Sequence, residues 1–419
     1  MQAAIDSLQK QIDELKKSNQ VQPTIGGVRA TMKVFGRIHL DFWTFPSSDD
    51  AINVFENADP NLDPSSRIEF RRARFGFQGK IEESMLYKVE IDFGKPNSLA
   101  FKDMYIGFED LPVVQTLLIG NQKRPYGLDA LNSSRFNVFI ERPFIIDAFN
   151  LNARRLGLAA YGYSKNQAWN WRYGVWNMVD WSETGRISSY TVQPEFAGRI
   201  AHTPWFDEES GGRNYAHVAL SGTMAFPDGS PSAGDAVNEA RFRTRPEARS
   251  GRPWIATGRI AGTDRYAMSG LETVLNVGST QVTGEYMHGW LSRADGQEDL
   301  QFHGGYVYVA QFLTGEFMPW NRKNGTLGRI KPSSNFGAGG WGALQVAARY
   351  SYADFSDKDV FGGVGQSLTL GLNWYWNPNA RLQFNYINGR ISDRNVDLGG
   401  QNYSQGDYEV LGLRVMVDF

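Results

Sequence analysis

Cysteine is absent from the 419-residue sequence, which excludes disulfides, thiolate nucleophiles and cysteine-ligated zinc. No window approaches 18 consecutive apolar residues, so a helical membrane span is excluded. Charge of one sign is lacking too. With 43 Lys+Arg against 45 Asp+Glu, the formal net charge is −2, whereas a nucleic-acid binder would carry a basic excess. Only five histidines occur (His39, His202, His217, His288, His303), never at a metal-ligand spacing such as HxxxH. There is no GxSxG elbow and no Walker-type loop. The acidic group Asp295, Glu298 and Asp299 lacks the calcium-loop spacing. No cofactor or metal is expected, and the chain does not read as an enzyme. The N-terminus is acidic, basic and amide-rich rather than apolar, so an exported form is expected to have lost its signal already.

What is present begins with a heptad. Ile5, Leu8, Ile12 and Leu15 fall at spacings of 3, 4 and 3 with polar residues between them, an a/d seam of two heptads over residues 1–20. A seam this short needs an attached oligomer to hold it. Residues 21–31, with Pro23 and a glycine pair, read as a linker.

From about residue 32 to Phe419 the period changes to two. Met85, Tyr87, Val89, Ile91 and Phe93 alternate with Ser84, Leu86, Lys88, Glu90 and Asp92. Leu368, Leu370, Leu372, Trp374 and Trp376 alternate with Ser367, Thr369, Gly371, Asn373 and Tyr375. Such segments are strands with one apolar and one polar face. About sixteen of them, roughly 9–13 residues each, have the length that crosses a bilayer when tilted. Full charges stand mid-strand on the polar faces (Lys88, Glu90, Arg349, Arg381, Arg414), which a dry soluble core does not tolerate unpaired. Aromatic residues near strand ends (Phe42, Trp43, Phe45; Trp169, Trp171; Trp374, Trp376) are expected in interfacial girdles. The expectation is an all-β chain forming a 16-stranded antiparallel transmembrane β-barrel, apolar outside and wet inside.

The end of the chain fits closure. Val417, Val415, Leu413 and Leu411 alternate with Asp418, Met416, Arg414 and Gly412 before the terminal Phe419. A last strand that pairs with the first removes both sheet edges. Short turns are expected at Gly79–Glu83, Asn276–Thr280 and Trp376–Ala380. Long loops are expected at the other end, over Thr44–Ser66, Lys123–Ala153, Pro227–Asp264 and Thr314–Gly340. Folded inward, such loops would set the diameter of a channel.

Arginine gathers where a channel would narrow. In Phe70-Arg71-Arg72-Ala73-Arg74, alternation aims Arg72 and Arg74 at the lumen, while Arg71 needs a bulge or a place at the loop side to join them. Arg241, Arg243 and Arg245 share one side of an extended segment, and Arg135 and Arg142 lie in another long loop. Rings of arginine attract anions in a narrow pore, and the guanidinium fork suits phosphate and carboxylate oxygens.

Several of these segments together resemble the phosphate- and pyrophosphate-selective outer-membrane porins (porin O and P type). They are Gly36-Arg37-Ile38, Phe70-Arg71-Arg72-Ala73, Tyr87–Asp92, Gly127-Leu128-Asp129 with Ser133-Ser134-Arg135 and Glu141-Arg142, Arg243-Thr244-Arg245-Pro246, Gly371–Tyr375 and the closing strand. The resemblance runs from about Met32 to Phe419 and leaves out the heptad. It implies a trimer of 16-stranded barrels in which an arginine ladder leads anions to a constriction. Arg71, Arg72, Arg243 and Arg245 match ladder positions; Arg135 and Arg142 match basic positions of the constricting loop. Leu86 and Ala130 stand where the phosphate site has lysines. Lys102 aligns with a site acidic residue, and a shift of one register would place Asp103 there instead.

The expected function is an outer-membrane porin for passive diffusion of small hydrophilic solutes, preferring anions such as phosphate at an arginine-lined constriction. The expected partners are a homotrimer and outer-membrane lipid, and the N-terminal stalk in the periplasm would reach the cell wall or a periplasmic protein. Two rivals stand beside it: a non-selective general-diffusion porin, and a loop-plugged scaffold or adhesin without conductance.

Overall fold

A computed structural model of the chain describes residues 29–95, 98–151, 153–179, 192–227, 240–294, 296–337 and 339–419. The heptad segment, most of the linker and Asp295 lie outside the described residues. Sixteen antiparallel strands close into one barrel, each paired with its neighbours in chain order. They are β1 (Lys33–Ser48), β2 (Arg67–Ile81), β3 (Met85–Lys95), β4 (Ser98–Leu111), β5 (Gln115–Lys123), β6 (Arg154–Tyr163), β7 (Trp169–Asn177) and β8 (Pro194–Phe206). The second half comprises β9 (Tyr215–Ala225), β10 (Thr263–Val277), β11 (Thr280–Arg293), β12 (Leu300–Phe312), β13 (Ala343–Asp357), β14 (Val360–Asn377), β15 (Ala380–Arg394) and β16 (Gly406–Asp418).

Closure is made by β1 on β16, in the register Ile38↔Val417, Leu40↔Val415 and Phe42↔Leu413. Gly36 and Phe419 exchange backbone hydrogen bonds of 3.1 and 3.2 Å across the seam. A Cβ on Gly36 would stand 2.4 Å from the Phe419 ring, so glycine is needed where the terminal aromatic lies over the seam. Leu368, Leu370 and Leu372 of β14 are exposed on the outer face, and Ser367, Thr369 and Asn373 are buried inside. The period-two apolar face therefore points outward, as in a membrane barrel.

The interior departs from the expected wet lumen. Loops fold in and form a hydrophobic core within the β8–β16 half, where Phe139, Phe144, Phe149, Phe242, Trp254, Phe302 and Phe355 are buried together. The third loop (124–153) carries α2 (Leu128–Leu131) and α3 (Phe144–Phe149), and the fifth loop (226–262) supplies Phe242 and Trp254. The first loop (49–66) begins with α1 (Asp50–Asn57), whose Glu56 accepts from the Trp254 indole at 2.9 Å and so joins first loop to fifth.

This packing overturns part of the girdle expectation. Trp43 and Phe45 are buried and face inward, whereas Phe42 is exposed on the outside. Trp43 fills the space over Gly412, where a Cβ would come within 2.4 Å of its ring. Trp169, by contrast, is exposed on the outer face.

The placement of Thr314–Gly340 is also corrected. Odd-numbered strands run from the turn end to the loop end, and β12 is even, so segment 313–342 emerges at the turn end, opposite the other long loops. It folds back into the barrel as a two-residue ribbon, Trp320–Asn321 on Thr326–Leu327. There it fastens to β8 and β9 through Trp320 Nε1 to Thr203 (3.2 Å) and Tyr215 Oη to the Met318 carbonyl (2.9 Å). At its tip Leu327 N donates to Asn132 Oδ1 of the third loop at 2.9 Å. The lumen is thus entered by polypeptide from both ends.

Candidate functional site

The third loop crosses the barrel and is held as bare backbone by polar side chains of the far wall. Asn373 Nδ2 and Gln383 Nε2 donate to the Val138 carbonyl at 3.0 and 3.1 Å. Arg381 donates to the Asn137 carbonyl at 2.8 Å, Arg414 to the Ile140 carbonyl at 2.5 Å, and Arg349 to the Glu141 carbonyl at 3.1 Å. A buried peptide group without a partner costs about 1–3 kcal/mol, so these residues fix the path of the loop. At its start, Glu285 of β11 accepts from the backbone N–H of Leu128 (2.5 Å) and Asp129 (2.8 Å). The mid-strand charges Arg349, Arg381 and Arg414 are therefore loop anchors; they do not line open water.

The crossing loop packs against a basic cluster on the inner face of β1–β7. Arg71 is the bulged residue of β2: His39 pairs with Arg72 and Leu40 with Phe70, so Arg71 has no counterpart on β1. The bulge lets it turn inward beside Arg72 and Arg74. Arg71 grips Glu141 of the third loop with Nε to Oε1 at 2.7 Å and Nη2 to Oε2 at 3.0 Å. Burial would push the Glu141 carboxyl up, but Arg71 and Arg414 hold it well below the ordinary carboxylate range. Asp129 is the opposite case. Its burial raises the carboxyl above its usual value, with Arg142 opposing.

Carboxylates at this level are shared among cations. Glu90 accepts from Arg37 at 2.6 Å and lies 3.9 Å from Arg74 and 3.6 Å from Arg154. Asp92 takes Arg74 at 2.8 Å. Asp103 takes Lys88 at 2.7 Å and Arg154 at 2.5 Å, so its carboxylate faces the lumen. Arg37 also reaches Ser134 Oγ at 3.2 Å. Arg72 stands apart: His39 Nδ1 at 3.3 Å is its side-chain neighbour, and it makes no ion pair with a described carboxylate. Glu90 and Asp103 are each shared by two or more cations, and Arg72 has no ion-paired carboxylate among the described residues, which leaves the cluster net positive.

Arg71 therefore reaches the crossing loop, which itself carries Arg135 and Arg142, while Arg72 and Arg74 stand beside it on β2 facing His39 and the β3 carboxylates. Arg135 pairs with Asp418 of β16 at 3.2 Å, and Arg142 with Asp129 at 3.3 Å. Arg241, Arg243 and Arg245 alternate with buried Phe242 and Thr244 in the fifth loop. Arg245 is held by the Ser250 carbonyl at 2.9 Å, and its field reaches Arg71 and Glu141. Burial beside Arg249 brings its guanidinium down to about 10. Arg243 sits opposite Ala256 in the ribbon that Arg243–Thr244 makes with Ile255–Ala256, and Arg241 precedes it on the exposed edge.

The description phosphate-selective porin O and P belongs to the family model that matches residues 33–419. The chain belongs to that family. It is 23% identical over 415 residues to porin O of Pseudomonas aeruginosa, covering 89% of this chain and 86% of that protein. Among solved structures, the trimer form of OmpT, an outer membrane protein of Vibrio cholerae, matches with TM-score 0.55 and 11% identity, over 93% of this chain and 99% of that one. An anion-selective porin from Comamonas acidovorans matches with TM-score 0.54 and 12% identity, over 93% and 100%. The protein is thus an outer-membrane β-barrel of the porin class.

Several residues of the porin's basic cluster escaped sequence reasoning. Arg154 opens β6 directly after the crossing loop, Lys88 and Glu90 were legible only as members of polar faces, and Asp103 only as an alternative register to Lys102. Arg329, in the turn segment, reaches Asp418 beside Arg135. No sequence signal pairs it with the chain terminus, because the two residues meet only through the inward fold.

Proposed function

We propose that the porin passes small hydrophilic solutes by passive diffusion and prefers anions. The observation that carries this reading is Arg72, a cation at the crossing loop with no described carboxylate ion-paired to it, among arginines that share theirs. An anion at the passage would exchange part of its hydration for guanidinium N–H groups, whereas a cation would meet like charge. Phosphate is the oxyanion the family description names, and the Arg37–Ser134 pair offers donors to such oxygens. Leu86 and Ala130, in place of two lysines, weaken a tight phosphate site, so the preference is for anions in general. Three barrels assemble as a homotrimer in this reading, with the heptad segments gathered as a periplasmic stalk.

A general-diffusion porin with little charge preference is the second reading, supported by the carboxylate pairing of Arg37, Arg71, Arg74 and Arg154. Reversal potential in a planar bilayer under a KCl gradient separates the two. An anion-selective potential supports the first, and a potential near zero the second. Absence of any current favours a loop-plugged scaffold and overturns both.

A further inference from the structure

Beyond the crossing loop, toward the turn end, the lumen opens into a chamber of about 300 Å³. Its wall carries the side chains of Leu86, Leu118, Tyr105, Tyr161 and Tyr163 from β3–β6, with Arg172 of β7 and Lys323 of the inward turn segment seated on two of the tyrosines. This size lies at the lower end for a small-molecule pocket. It has room for a ring-sized solute with a polar substituent.

The chemistry of the wall is mixed in a specific way. Arg172 lies over the Tyr161 ring at 5.3 Å, and Lys323 over the Tyr163 ring at 5.2 Å. Only one terminal nitrogen of Arg172 is engaged, with the Asn324 carbonyl at 2.9 Å and its side-chain oxygen at 3.3 Å, which leaves guanidinium donors toward the cavity. Lys123 also borders the chamber, but its ammonium is spent on the carbonyls of Ala130, Leu131 and Asn132 at 2.7–2.9 Å. The one lining carboxylate, Asp103, is neutralised by Lys88 and Arg154. A hydrated inorganic anion would use the cations and leave the tyrosine rings and leucines without contact. A bare apolar ring would leave the cations unsatisfied.

We propose that this chamber is a binding site for small aromatic carboxylates, with the ring against Tyr105, Leu86 and Leu118 and the carboxylate on Arg172 and Lys323, which Tyr161 and Tyr163 hold in place. The proposal deepens the diffusion reading by naming a solute class, and rests on that reading only for how the solute arrives. Ring stacking on tyrosine and a guanidinium–carboxylate fork act together here, so neither acetate nor phosphate reproduces the fit.

The test is equilibrium dialysis of radiolabelled benzoate against the full-length protein in detergent, with acetate and inorganic phosphate as competitors. Saturable benzoate binding is expected, with each competitor at least tenfold weaker than unlabelled benzoate. Arg172→Gln and Tyr105→Ala should each weaken binding tenfold or more while the barrel keeps its heat-modifiable gel mobility. Equal displacement by acetate or phosphate, or unchanged binding in Arg172→Gln, would overturn the site. Bilayer currents from the same preparations keep the two ideas apart: benzoate binding without current sinks the diffusion reading alone, and current with no preference for benzoate sinks the chamber alone.

Discussion

Both carboxylate oxygens of Glu141 receive an N–H from Arg71, at 2.7 and 3.0 Å, and this fork joins the tip of the crossing loop to the bulge of β2. Arg414 approaches the same carboxylate at 2.8 Å from β16, after gripping Asp41 with two hydrogen bonds of 2.6 Å. One loop residue therefore spans the seam of the barrel. The bulge at Arg71 matters because strict alternation would have turned this side chain to lipid.

Replacing Glu141 with glutamine should loosen the loop and bare positive charge together. Removing one partner of a buried ion pair costs about 3–5 kcal/mol, and Arg71 would then face the passage. The expected outcome is a single-channel conductance raised severalfold and a reversal potential shifted further toward anions. Planar-bilayer recording measures both. An unchanged conductance would mean that the far-wall hydrogen bonds alone hold the loop.

Acid should act on the two loop carboxylates in opposite directions. Glu141 is held below its ordinary 4.5, so its contribution to stability is complete above that value and is lost only as pH falls through the depressed value. Asp129 is raised above 3.8 by burial, so its charge is a burden at neutral pH that is relieved as pH falls toward 3.8. Thermal unfolding in detergent should therefore become harder as pH falls from neutral toward 3.8, and Asp129→Asn should remove that rise. A wild-type profile that falls monotonically from pH 7 would contradict the assignment.

The barrel was legible because its side-chain period is two and its last strand ends on Phe419. The register of β16 on β1 keeps that pattern, with outward residues opposite outward ones. Alternation shows which residues share a face, yet it does not say whether that face meets water or a folded loop. Trp43, Phe45 and Arg349 were misread for that reason. Segment 313–342 was misplaced because the end at which a connection emerges depends on the parity of every strand before it. Carboxylate partners were invisible, since Arg71 and Glu141 are 70 residues apart and meet only through the loop.

Arg72 and Arg349 should separate selectivity from architecture. Arg72 has no described carboxylate ion-paired to it, so Arg72→Gln should lower the anion-to-cation permeability ratio a few fold with little loss of stability. Arg349 holds Glu247 at 2.6 Å and the Glu141 carbonyl at 3.1 Å, and lies over Phe139 at 4.4 Å. Arg349→Gln should cost about 3–5 kcal/mol by stranding Glu247, and leave the reversal potential of folded channels unchanged. Reversal potentials and unfolding temperatures on both variants check the pair.

The inward turn segment is held at its base by the end of the chain. Arg329 donates to Asp418 with two nitrogens, one bond being 3.0 Å, and also reaches the Pro378 carbonyl. Asp418 is buried and takes Arg135 of the crossing loop as well, so one carboxylate ties both inward segments to β16. Asp418→Asn should release them together, giving larger and noisier conductance with faster current fluctuations. Arg329→Gln should release the turn segment alone, because Arg135 keeps its partner, and should give a smaller rise without a change in selectivity. Single-channel recordings would rank wild type below Arg329→Gln and Arg329→Gln below Asp418→Asn. If Arg329→Gln matched wild type, the ribbon contacts with Thr203, Tyr215 and Asn132 would suffice to hold the segment in the lumen.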